Sequence, residues 1–128
     1  MNSSPRYLAV VMDPIAGINP KKDSTLAMLL AAAGRGWDIV YFEQQDLAVR
    51  DGEAEGSGRR LEVHASLDHW FTFGDTWHGP LDSLDALLMR KDPPFDMEFV
   101  YTTYILQLAE QAGLLVVNKP QSLREINE

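Results

Sequence analysis

The order of apolar, charged and glycine-rich segments predicts an α/β domain with a mostly parallel sheet and an appended antiparallel hairpin. Three observations carry this. Tyr7–Met12 and Trp37–Phe42 are short apolar runs on either side of a helical pattern, a strand–helix–strand unit. Leu84–Met89 and Leu114–Val117 flank a second, longer helical pattern in the same way. Between the two units, Glu43–Leu81 changes character and becomes polar, glycine-rich and dense in aromatics.

Each element has its own local reason. Tyr7–Met12 is valine-rich and bounded by Pro5 and by Asp13-Pro14, so it reads as a buried first strand. The loop from Asp13 to Lys22 is long for a βα connection, which usually takes roughly 2–6 residues, and longer ones tend to be functional or mobile. Asp23 or Ser24 can cap the next helix, because either side chain accepts a bond from an orphan backbone N–H. Leu26, Leu29, Leu30 and Ala33 recur at helical spacing as one apolar stripe. Gly34 and Gly36 end the helix, with Gly36 as its left-handed residue.

In the middle region, Leu47–Arg50 is a short strand candidate and Asp51-Gly52 is a turn signal. Glu53–Gly58 reads as a polar, glycine-rich loop. Arg59–His64 and Trp70–Trp77 supply one or two antiparallel strands with mobile tips. His64, His69 and His78 lack the close repeated spacing of metal ligands and read as surface residues. In the second long helix, capped by Asp96, residues Met97, Tyr101, Tyr104, Ile105, Leu108 and Ala112 share a face that is predicted to be core. Gly113 stops that helix. Asn118-Lys119-Pro120 ends the last strand, and Pro120 suits the first position of a further helix. The chain stops inside that helix at Glu128, which predicts a domain cut from a longer chain.

The junction of the third apolar run with the second helix is the candidate site. Leu87-Leu88-Met89 runs straight into Arg90-Lys91-Asp92 and then Pro93-Pro94. In an open α/β sheet, ligands collect beyond the carboxyl ends of the strands. A cation pair beside a carboxylate on a proline-stiffened loop suits a polar or anionic substrate there. A second candidate is the Lys21-Lys22-Asp23-Ser24 approach to a helix N-terminus, where free N–H groups and the helix dipole favour anions.

The totals exclude several classes. The 128 residues suffice for one core and are short for two. Eleven Lys and Arg face nineteen Asp and Glu, a net charge of -8, which argues against nucleic acid or an anionic membrane as the main partner. With no cysteine, disulfides, thiolate metal sites and a cysteine nucleophile are excluded, and a cytoplasmic protein is expected. No dinucleotide fingerprint, phosphate loop or nucleophile elbow occurs.

Five segments, in order along the chain, carry a resemblance: Val11-Met12-Asp13-Pro14-Ile15, Lys21 to Thr25 with Ala27 to Leu30, Met89 to Asp96, Tyr104-Ile105-Leu106, and Val117 to Arg124 with Asn127-Glu128. The chain resembles the N-terminal domain of bacterial glutathione synthetase, an ATP-grasp ligase. The resemblance implies a Rossmann-like (pre-ATP-grasp) domain over residues 1–128, without the ATP-grasp domain that would follow. It implies a parent enzyme in which ATP phosphorylates the carboxylate of γ-glutamylcysteine and glycine displaces the phosphate, with Mg2+ bridging the nucleotide phosphates. It also implies that this chain alone holds neither ATP nor Mg2+ and is inactive, and that it contributes one wall of the peptide-substrate site. Arg90 and Lys91 are expected to take carboxylates. Asp13 and Asp92 would meet the substrate ammonium or brace the arginine, and Lys22 and Asp23 lie nearby.

Two alternatives remain at this point. Asp13 and Lys119-Pro120 fit the outline of a receiver-like signalling domain, although such a domain needs an acidic pair after the first strand and regular helices where Glu43–Leu81 lies. A non-catalytic interaction module would pack the face bearing Tyr101 and Tyr104 against another subunit, and the fold admits a homo-oligomer.

Overall fold

The computed structural model describes residues 6–91 and 97–117. In order, these form β1 (Tyr7–Val11), α1 (Ser24–Gly34), β2 (Asp38–Phe42), β3 (Leu47–Arg50), β4 (Glu53–Val63), β5 (Phe71–Pro80), β6 (Ala86–Met89), α2 (Met97–Gln111) and β7 (Leu115–Val117). β1 pairs in parallel with β2 and β6, and β6 with β7. β4 runs antiparallel to β2, β3 and β5. The sheet is therefore mixed, in the order β3-β4-β2-β1-β6-β7, with β5 also on β4.

Successive side chains of a strand point to opposite faces. Ala9, Val11, Val40, Phe42, Leu87, Met89 and Val116 share one core with Phe99, Ile105, Leu106 and Ala109 of α2. Leu8, Val10, Ile39, Tyr41, Ala86 and Leu88 share the other with Leu29 of α1. Covered on both faces, β1, β2 and β6 must be apolar at nearly every position, which is why they read as unbroken runs.

α1 starts where the Asp23 carboxylate accepts the Leu26 N–H at 2.9 Å. It ends before Gly36, whose φ of 89° is left-handed. Its buried face is Thr25, Leu26 and Leu29; Ala33 is exposed, and Ala32 packs toward the sheet in its place. Asp51 and Gly52 both take positive φ, 52° and 79°, and join β3 to β4 in a tight two-residue hairpin. The third parallel strand begins at Ala86 rather than Leu84, because Leu81–Ser83 closes a short 3-10 turn.

Two expectations are corrected. Glu53–Gly58 is not a loop: it is the first half of β4, an 11-residue strand with partners on both edges. Its glycines permit close approach. A Cβ at Gly56 would lie 2.6 Å from the Phe42 ring, and one at Gly58 would overlap the Tyr41 carbonyl oxygen. The second correction is the face of α2. Met97, Tyr101 and Tyr104 are 81%, 53% and 51% exposed, and Leu108 and Ala112 are exposed too. The buried face is Phe99, Thr102, Thr103, Ile105, Leu106 and Ala109. Thr102 and Thr103 donate their hydroxyls to the helix's own carbonyls, of Glu98 at 2.9 Å and Val100 at 2.7 Å, and so bury without an unmet donor.

Asp92, the Asp96 cap and the helix expected from Pro120 lie outside the described residues. No described helix is long and apolar enough to cross a membrane.

Candidate functional site

β1 and β6 are neighbours, so the loops that follow them leave the sheet side by side. The Arg90 N–H still donates to the Val11 carbonyl at 2.8 Å, which continues the ladder one residue past β6. Asp13 thereby faces Lys91, and the first turn of α1 closes the third side. Five of the six predicted site residues, Asp13, Lys22, Asp23, Arg90 and Lys91, line one cleft of about 760 Å3 with Ser24 and Thr25.

The charges in the cleft are not equivalent. Lys91 Nζ lies 2.8 Å from Asp13 Oδ1, so this cation is matched by a carboxylate within the protein. Arg90 is held by hydroxyls. Its Nε donates to Thr25 Oγ1 at 3.1 Å and its Nη2 to Ser24 Oγ at 3.0 Å. Both donors belong to one edge of the guanidinium plane. The Nη1–Nη2 edge has no partner among the described residues, and a fork of that kind matches a carboxylate in two parallel bonds. These hydroxyls orient the arginine and, being neutral, add no countercharge themselves. Lys22 adds an exposed cation near the N-terminus of α1. Asp23 spends one carboxylate oxygen on the helix cap.

The floor of the Asp13 side is built by β2. Tyr41 Oη accepts the Ile15 N–H at 3.1 Å and donates to Glu43 Oε2 at 2.5 Å. Burial, then that bond to the carboxylate, holds the Tyr41 phenol well above its usual range, so it stays protonated. A smaller recess of about 270 Å3 adjoins here, with Glu43, Gln44 and Glu98 in its wall. Buried Gln44 has an Oε1 without a hydrogen-bond partner among the described residues.

The sequence missed Ser24 and Thr25 as the braces of Arg90, a role expected of Asp13 or Asp92. The Ser-Thr pair was visible at the start of a helix, but nothing local connects it with an arginine 65 positions away. It also missed Tyr41, Glu43 and Trp70, whose indole reaches the site loop. The three histidines stay apart from the cleft. His64 and His69 stack at 5.3 Å, with both Nε2 atoms 3.0 Å from Thr72 Oγ1, and His78 Nδ1 meets Ser57 Oγ. Among the described residues, no three His, Cys, Asp or Glu converge on a metal-sized position.

The charge-lined cleft lies at the carboxyl ends of parallel strands, the place where ligands collect in open α/β sheets. Residues 7–124 match the family described as prokaryotic glutathione synthetase, N-terminal domain, and the chain belongs to that family. Glutathione synthetases of Pseudomonas putida and Pseudomonas aeruginosa are each 60% identical to it over 121 residues. That of Escherichia coli O157:H7 is 55% identical over the same length. Each alignment covers 94% of this chain, and the chain spans 38% of the length of these relatives. Between β2 and β6 the described chain adds three antiparallel strands where a receiver would have regular helices.

Proposed function

We propose that this chain is the first, substrate-binding domain of a cytoplasmic glutathione synthetase, and that its cleft holds the carboxylates of γ-glutamylcysteine. Family membership supports the reaction. The observation that carries the site is Arg90, oriented by Thr25 and Ser24 in the wall of the cleft. Arg90 takes one carboxylate in a fork, and Lys22 supplies longer-range attraction at the helix N-terminus. Asp13, held by Lys91, offers its carboxylate to the ligand ammonium. Asp92, next in sequence to Lys91, is assigned the same partner. Asp23 acts through the helix cap.

The reaction is the ligation of γ-glutamylcysteine and glycine through an acyl phosphate. ATP and Mg2+ supply the phosphoryl group and its charge neutralisation when bound. Among the described residues no three His, Cys, Asp or Glu converge where a cation would sit. By this proposal ATP and Mg2+ belong to an ATP-grasp domain outside residues 1–128, and the chain alone forms no glutathione.

Titration of the chain with γ-glutamylcysteine by calorimetry tests the site. Arg90→Lys, which keeps the charge and loses the fork, is expected to weaken binding about tenfold or more. An unchanged affinity in that variant, or no binding by the wild-type chain, removes the proposal. A second subunit packed on α2 completes it, because the Met97, Tyr101, Tyr104 and Leu108 face is exposed. A strictly monomeric mass by light scattering would count against that part alone.

A further inference from the structure

The middle of the site loop is gripped from outside. Ile15 opens the short turn Ile15–Gly17 and is 1% exposed. Both polar groups of its backbone meet side chains from distant parts of the chain, and the carbonyl also accepts the local Ile18 N–H at 3.5 Å. Its N–H goes to Tyr41 Oη at 3.1 Å, and its carbonyl accepts Trp70 Nε1–H at 3.0 Å, across 55 positions. Trp70, Phe71, Phe73 and Tyr41 form a row of rings with centroids 5.8, 5.2 and 5.2 Å apart. The row spans from the β4–β5 connection to β2, and its two polar ends close on one residue. Ile15 lies two positions after Asp13 and three before Ile18, both of which line the cleft.

A buried residue whose N–H is met by Tyr41, and whose carbonyl takes its shorter bond from Trp70, cannot shift without losing a bond to a distant element. The loop between Asp13 and Ile18 is therefore held in one place by the β4–β5 hairpin. We propose that Trp70 is a positioning residue for the cleft: through Ile15 it sets where Asp13, and with it the Lys91 ammonium, stands on the ligand-facing wall. The inference rests on the proposed ligand site for its functional meaning, though not for the tether itself.

Trp70→Phe keeps the ring and removes the N–H. Hydrogen exchange at the Gly17 and Ile18 amides, which close the turn onto Pro14 and Ile15, is expected to speed up about tenfold, with the β1 and β6 amides unchanged. Binding of γ-glutamylcysteine is expected to weaken about fivefold. In an Asp13→Asn background the same change is expected to cost less than about twofold, because Trp70 acts through Asp13. Equal losses in both backgrounds would make Trp70 a merely structural residue and overturn the inference, as would unchanged exchange in the loop. If the loop loosens while the wild-type chain binds no γ-glutamylcysteine, the ligand reading fails and the tether stands. Tyr41→Phe releases Ile15 from the other side and supplies the same exchange test should Trp70→Phe not fold.

Discussion

The two halves of the sheet obey different rules. In the parallel half, β1, β2 and β6 lie between α1 and α2 and are buried almost throughout. In the antiparallel half, β4 mixes buried, partly buried and exposed positions, and β5 has none that is buried. The parallel half selects residues by how apolar they are. The antiparallel half selects them by what shape they allow, as Gly56 and Gly58 do against Phe42. The charges of the cleft leave from the parallel half, while the rings that fix its loop come from β2 and the antiparallel half. The site is thus charged by one region and held by the other.

Three substitutions would sharpen or break this contrast. Gly58→Val is expected to have the largest effect. Its Cβ would overlap the Tyr41 carbonyl and approach Phe42 Cδ1 at 2.7 Å, so β4 could not keep its register on β2. A loss of at least about 4 kcal/mol in urea unfolding is expected; a tolerated valine would show that shape does not govern this half. Leu87→Ala, fully buried at the centre of the parallel half, is expected to lose about 3 kcal/mol in the same experiment. A loss under about 1 kcal/mol would mean that this core can collapse around the gap.

The smallest effect concerns Asp46, which accepts the Glu43 N–H at 2.8 Å where the chain turns from β2 into β3. Burial first, and the Glu43 charge after it, raise the Asp46 carboxyl above its ordinary range, against the pull of that hydrogen bond. The folded state therefore binds this proton more tightly than the unfolded state. Its contribution to stability is present at low pH and is lost as pH rises through the folded-state value. Asp46→Asn keeps an acceptor and removes the charge. It is expected to raise stability near pH 7 by less than about 1 kcal/mol, and the gain should vanish in acid below the aspartate range. A gain that persists in acid would point away from the charge.

Legibility in the sequence followed the same division. The parallel strands were visible because burial on two faces leaves no polar gap, and the Arg90-Lys91 junction because an apolar run stops abruptly there. The Asp51-Gly52 turn was visible because few other pairs accept two positive φ values. Glu53–Gly58 was not, since glycine, serine and glutamate give the same signal in a loop as in a strand pressed against a ring. The α2 face was misread because threonine counts as polar by type, while Thr102 and Thr103 satisfy themselves along the helix. Of the site, the charged residues could be seen, but their braces could not. Thr25 to Arg90 and Trp70 to Ile15 are pairings of fold rather than of spacing.

The placement of β1 between β2 and β6 has a consequence for the order in which the molecule assembles. The Tyr7 N–H meets the Asp85 carboxylate across 78 positions of chain, whereas β3, β4 and β5 join near neighbours through short connections. Closing a long segment costs chain entropy before any contact repays it, and such pairings are slow to form. The β3–β5 module can form early and shortens the path between the ends of β2 and β6. Docking of β6 on β1 comes late, and only that event brings Arg90 and Lys91 to Thr25 and Asp13. Any partly folded form lacking the β1–β6 ladder would carry all the charges of the cleft and none of its geometry.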